Sequence, residues 1–166
     1  MGRVYTAIGE NLTLGTGNVL IALQTAATVA AGSVIRPLRV EATQSGTATS
    51  AQVRLLFSTR DTAGTLTTTS VTPANNFLTG PAGGLSGNTN VLGGAGRIGI
   101  NSSADSGGAY VNHWCNAPNQ LNGYLYLPVP EERFTIPPSI VWCVRFAATP
   151  TQTTGWNIVL SYEEVN

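Results

Sequence analysis

Hydrophobic residues along the chain recur at every second position, which is the repeat of a half-buried β-strand rather than of a helix. The alternation is clearest over residues 140–146 and 156–162, and it also runs through 18–23, 38–42 and 53–57. These rows predict an all-β protein in which two layers of strands share one core. The expected core residues are Trp142, Val144, Phe146, Trp156, Ile158 and Leu160.

Turn-forming residues separate these segments, among them Asn122-Gly123 and Pro137-Pro138. A helix competes only over 19–31, where Thr25 and Thr28 weaken it because β-branched residues suit strands better. A chain of 166 residues is long enough for one domain. We therefore predict a single jelly-roll-like antiparallel β-sandwich over 1–166.

Residues 61–108 have a different composition from the rest of the chain. They are rich in Thr, Gly, Asn and Ser, with scattered apolar positions and three Gly-Gly pairs. This is too little apolar surface for a core and too many residues for an ordinary loop. We expect an extended irregular region that packs on a partner or a sister subunit, with simple disorder as the alternative. A possible N-terminal arm, 1–14, is the other candidate for subunit or capsid contacts.

The charge balance narrows the classes of function. The chain carries eight basic and eight acidic residues, all the basic ones are arginine, and lysine is absent. This excludes a P-loop lysine and a Schiff-base lysine, and it argues against nucleic acid or an anionic membrane as a partner. So low a charged fraction, 10%, favours a surface that meets other protein. The sequence has neither a secretory signal nor an apolar run long enough to span a bilayer.

Three charged residues fall on the predicted outward rows of what should be neighbouring strands: Arg39, Glu41 and Arg54. A solvated cross-strand pair is the favoured interpretation, and it would add only tenths of a kcal/mol. A salt bridge between subunits is the alternative.

Candidate chemistry is sparse. His113 and Cys115 share a strand face, which permits a Cys–His pair or half a metal site, but no third ligand lies close in sequence. Glu131-Glu132 and Glu163-Glu164 are adjacent in sequence, so within each pair the carboxylates face opposite ways. We expect no catalytic, cofactor-binding or metal-ligating residues. Cys115 and Cys143 are predicted to be buried free thiols.

Several segments carry a family resemblance. Residues 36–47 read RPLRVEATQSGT, 122–133 read NGYLYLPVPEER, 134–139 read FTIPPS, 150–156 read PTQTTGW and 162–164 read YEE. Together they resemble the small jelly-roll virion proteins of tailed bacteriophages that decorate or cement icosahedral heads. The resemblance implies a Greek-key sandwich, a homotrimer, a place on the capsid exterior and the major capsid protein as a partner. It implies no active site.

Two other functions stay open at this point. A receptor- or glycan-binding virion module would place aromatic and amide side chains together on exposed loops, and Tyr110, Trp114 and Asn116 are the local candidates. A hydrolase on a β scaffold would use His113 with a Glu or Asp as its acid and base. Fold alone does not decide between these functions.

Overall fold

The computed structural model describes residues 3–25, 34–46, 50–61, 65–75, 86–87, 97–138 and 140–165. In these ranges the chain forms twelve strands and one 3-10 turn, with no α-helix. The strands are β1 (Arg3–Leu12), β2 (Val19–Gln24), β3 (Val34–Gln44), β4 (Leu55–Arg60), β5 (Thr65–Ser70), β6 (Ala74–Asn75), β7 (Ser86–Gly87), β8 (Arg97–Ser106), β9 (Tyr110–Asn116), β10 (Tyr124–Tyr126), β11 (Val141–Phe146) and β12 (Trp156–Val165). No described segment is a helix able to cross a membrane.

The strands form two sheets. The five-stranded sheet has the order β10-β3-β12-β1-β6, and the seven-stranded sheet has the order β5-β8-β2-β11-β4-β9 with β7 beside β8. All strand pairings are antiparallel except β7 with β8. From β1 to β4, and again from β9 to β12, each successive strand lies in the opposite sheet. The prediction of an all-β, jelly-roll-like sandwich is confirmed.

The core lies between the sheets, where the alternating rows meet. Trp142 on β11 and Trp156 on β12 are 1% and 2% exposed, and the rings of Phe146 and Trp156 are 4.7 Å apart. Burial of one row from each strand is what period-two alternation requires. All the predicted core residues are buried: Trp142, Val144, Phe146, Trp156, Ile158 and Leu160.

The segment expected as an N-terminal arm, 1–14, is described from residue 3 onward, and most of it belongs to the five-stranded sheet. β1 pairs with β12, from Arg3 opposite Glu164 to Leu12 opposite Trp156. Tyr5 and Ala7 are fully buried. The strand was hard to recognise because small and polar residues dilute its hydrophobic row.

The extended region expected over 61–108 also contains regular structure. β5 and β8 are paired strands within it, and Leu66, Ile98 and Ile100 are buried. Residues 62–64, 76–85 and 88–96 lie outside the described part of the chain. The composition argument failed for β5 and β8 because each strand buries few apolar residues and is held largely by polar contacts.

β8 pairs with β2 over 97–100, and the rest of β8, paired with β5, folds back over the outer face of the same sheet as a covering ribbon. Leu66 of this covering ribbon is fully buried, in one cluster with Val141 and Cys143 on β11. Val141, Cys143 and Arg145 alternate with the core row of β11 and point to the outer face, yet Val141 and Cys143 are fully buried there and Arg145 is half-buried. The sheet therefore has apolar contacts on both faces.

A bend in β8 allows the ribbon to turn over the sheet. Asn101 lies at the bend with φ +48°, a left-handed conformation that asparagine tolerates better than most residues. Its side chain accepts a hydrogen bond from the Gly15 amide at 3.0 Å and donates one to the Thr13 carbonyl at 2.7 Å. These bonds tie the ribbon to the turn between β1 and β2.

Candidate interaction surface

His113 and Cys115 lie on β9, the edge strand of the seven-stranded sheet, and both are exposed. A register shift at His113 marks a bulge, and the imidazole Nε2 lies 2.8 Å from the Thr59 hydroxyl and packs against the Phe134 ring. Cys115 and Cys143 are free thiols, as predicted. The expectation that both are buried holds for Cys143 alone, because Cys115 occupies an uncovered edge.

The paired acids lie in different parts of the sandwich. Glu131 and Glu132 are exposed on the 3-10 turn, whereas Glu163 and Glu164 lie in β12 opposite β3 residues. Within the described ranges, no three His, Cys, Asp or Glu side chains are grouped so that they could hold a metal ion.

A buried polar cluster lies beneath the covering ribbon. The Arg60 side chain is fully buried, and its Nη2 donates a 2.9 Å hydrogen bond to the Asp105 carboxylate, which is 14% exposed. The Tyr110 hydroxyl donates to the same carboxylate at 2.5 Å. Burial raises the pKa of Tyr110 well above its usual range, and the nearby Cys143 and Asp105 add to this, so the hydroxyl stays a donor.

A second arginine completes the cluster. The Arg145 guanidinium carbon lies 4.1 Å from the centroid of the Tyr110 ring, a cation–π geometry. Arg145 also donates to Ser58 and Asn112. These contacts fasten the ribbon to β4, β9 and β11, so we assign the cluster a structural role. No local sequence pattern connects Arg60 with Asp105, which is why sequence reasoning missed the pair.

The predicted cross-strand ion pair has a different arrangement. Arg39 and Glu41 pair with each other along β3, two residues apart on one strand. Arg54 precedes β4, which belongs to the other sheet, and its side chain is exposed. The expectation that these residues lie on neighbouring strands is wrong, because consecutive strands here cross between the two layers.

The outer face of the five-stranded sheet has no covering ribbon among the described residues, and we call it the open face. Across its middle, Glu41, Val159 and Ile8 lie side by side on β3, β12 and β1. Ile8 is 47% exposed, and the hydroxyls of Thr6 and Ser161 are 3.0 Å apart. The centre of the open face is uncharged, with Thr6, Ile8, Val159 and Ser161, and charged side chains such as Glu10 and Glu41 lie around it. An apolar or neutral centre with a polar rim suits contact with another protein surface.

Exposed apolar side chains follow one edge of the sandwich. Residues 124–129 have two rows: Tyr126 and Pro128 are buried, whereas Leu125, Leu127 and Val129 are 51%, 62% and 53% exposed. We call the whole set the apolar band. Its members are Val111, Trp114, Leu121, Leu125, Leu127 and Val129. Leu125 lies opposite Glu41, so this member of the band is on the outer face of the five-stranded sheet, where the band borders the open face at β10. The one other large hydrophobic side chain that is exposed in the described ranges is Ile8, three strands away on β1.

Trp114 connects the edge strands of the two sheets. Its ring lies 5.6 Å from that of Tyr126, and its Nε1 donates a 2.8 Å hydrogen bond to the Tyr124 hydroxyl. Tyr110 instead packs under Arg145, so the residues considered for receptor or glycan binding, Tyr110, Trp114 and Asn116, do not form one group. The aromatic side chains at this edge hold the apolar band in a fixed position.

Comparison with protein-family models, curated proteins and solved structures finds no match to this chain. The function is therefore inferred from two surfaces of the structure, the open face and the apolar band. The open face offers a neutral sheet surface, and the apolar band offers large hydrophobic side chains at an edge.

Proposed function

We propose that this chain is a non-enzymatic virion structural protein. In this proposal it is a capsid decoration or cement protein that binds the outside of a phage head as a homotrimer and stabilises the head. The observation that carries the proposal is the apolar band, whose side chains are 41–62% exposed. The largest exposed apolar patch of a protein is often an interaction site.

The charge distribution supports assembly in a second way. Residues 110–130 contain no Asp, Glu, Lys or Arg, and Glu41 on the open face is already paired with Arg39. Charged groups that must lose water on association oppose binding unless they are well paired. Residues 110–130 and the uncharged centre of the open face can therefore be buried with little electrostatic cost.

The stabilising effect of a cement protein follows from the thermodynamic linkage between its binding and the assembly of the capsid. A protein that binds the assembled capsid but not its separated subunits lowers the free energy of the assembled state. Several copies held together bind more tightly than one, because the second contact is made at a high effective concentration. Weak contacts through the open face would be sufficient to stabilise the capsid when many copies of the chain make them.

The test uses capsids of the encoding phage, stripped of this protein and reconstituted with it. We expect reconstituted particles to withstand higher temperature than stripped ones. Ile8→Glu places a charge on the open face and should weaken co-sedimentation with the particles. Thr149→Glu, at an exposed position after β11, adds the same charge elsewhere and should bind normally. Equal thermal stability of bare and reconstituted particles would refute the cement role.

A further inference from the structure

We propose that the apolar band is the surface on which a second copy of this chain docks. This inference deepens the proposed function, since it separates the contact between copies from the contact with the capsid. The part of the open face around Ile8, three strands away from β10, is then left for the capsid. Six of the seven large hydrophobic side chains that are exposed in the described ranges lie in the band, so the edge is more apolar than the open face.

The geometry at this edge favours side-chain packing over addition of a strand. Leu125, Leu127 and Val129 project in one row, while Tyr126 and Pro128 occupy the buried row behind them. Pro128 and Pro130 lack amide hydrogens, so the segment after β10 has fewer donors for pairing with an added strand. The docking copy therefore meets a row of aliphatic side chains on a fixed aromatic support.

The exposed area is of the size that a contact between copies needs. The six side chains offer on the order of 500 Å² of apolar surface, which matches the largest patch on a typical monomer. A band that is covered by an equal area of the next copy buries about 1,000 Å² in total, and a polar rim brings this into the range of a standard interface, roughly 1,200–2,000 Å². The interface core is apolar, as in stable oligomers.

The charge at the band is compatible with a second copy. Residues 110–130 contain no charged side chain, Glu41 opposite Leu125 is paired with Arg39, and the exposed Glu131 and Glu132 lie at the margin of the band. The whole chain has a formal net charge of zero, so two copies approach without long-range repulsion.

The test measures molar mass by light scattering during size-exclusion chromatography. We expect the wild-type chain to elute at a multiple of its 17.2 kDa mass. Leu127→Glu, at a position that is 62% exposed, should raise the dissociation constant roughly 30-fold or more, the size of effect seen at interface hot spots. Thr149→Glu, at an exposed position after β11, is the matched control and should keep the wild-type mass.

Circular dichroism checks that both variants are folded, and Leu127→Asn repeats the test without adding charge. A monomeric wild-type chain at tens of micromolar would overturn the inference, as would a Leu127→Glu variant that stays fully assembled. If Leu127→Glu instead lost capsid binding without any change in mass, the occupant of the band would be the capsid. Capsid binding by Ile8→Glu is scored separately, so failure of the inference and failure of the proposed function are distinguishable.

Discussion

The outer face of the seven-stranded sheet lies beneath the β5–β8 ribbon, whereas the outer face of the five-stranded sheet is open. Under the ribbon, Arg60 is fully buried and donates to Asp105, to the Asp61 carbonyl and to the Ser106 carbonyl. On the open face, Arg39 and Glu41 pair at the surface. The covered face thus uses its polar groups to hold the fold, and the open face keeps its surface available for a partner.

The largest effect is expected in the core that both sheets share. Trp142→Ala or Trp156→Ala should lower the free energy of unfolding by about 3–5 kcal/mol, because each removes a buried indole and leaves a cavity. Urea denaturation followed by circular dichroism measures the loss. A loss of under 1 kcal/mol for either variant would show that the two layers do not pack through these rings.

The next effect contrasts the two outer faces directly. Asp105→Ala should destabilise the protein by about 3 kcal/mol, because it leaves the Arg60 guanidinium buried without its counter-charge. Glu41→Ala removes the partner of an exposed arginine and should cost less than about 1 kcal/mol. Equal losses in paired denaturation curves would contradict the distinction between a covered and an open face.

The third effect concerns pH and the two thiols. Burial raises the pKa of Cys143 from 9.0 to about 12, so in the folded protein the thiol resists ionisation. The stability that depends on the neutral thiol is fully present below pH 9 and is lost as the pH rises towards 12. Cys143→Ala should make the alkaline part of the stability curve shallower, and Cys115→Ser should not.

Thiol labelling gives the smallest and simplest contrast. At neutral pH the exposed Cys115 should react with a thiol reagent in the folded protein, whereas Cys143 should react after unfolding. Release of one thiol equivalent in buffer and two in denaturant is the expected result. Rapid reaction of both thiols in buffer would mean that the ribbon does not cover β11.

The sequence was sufficient to predict the rows that face the core. Trp142 and Trp156 lie in strands where large apolar residues alternate strictly, so local periodicity carried the information. β5 and β8 were missed because Leu66 has a threonine on each side in the sequence, which hides the strand pattern. The two strands are stabilised by contacts with strands that are distant in the sequence. The Arg60–Asp105 pair joins residues 45 positions apart, and pairing at that distance is determined by topology rather than by a local pattern.

The candidate surfaces were equally hard to foresee. Leu125 and Tyr126 both read as apolar strand residues, and the sequence does not say which of two apolar rows is left in water. β10 is the last strand of its sheet, and that position exposes the row of Leu125. Edge position follows from the order of strands, which a single sequence does not contain.

Pro128 and Pro130 have a consequence for a protein displayed in many copies. Two amide-free positions beside an exposed hydrophobic row remove backbone donors from this edge, which disfavours strand addition there. At this edge, crowding on a surface therefore favours side-chain contact between copies over growth of a shared sheet.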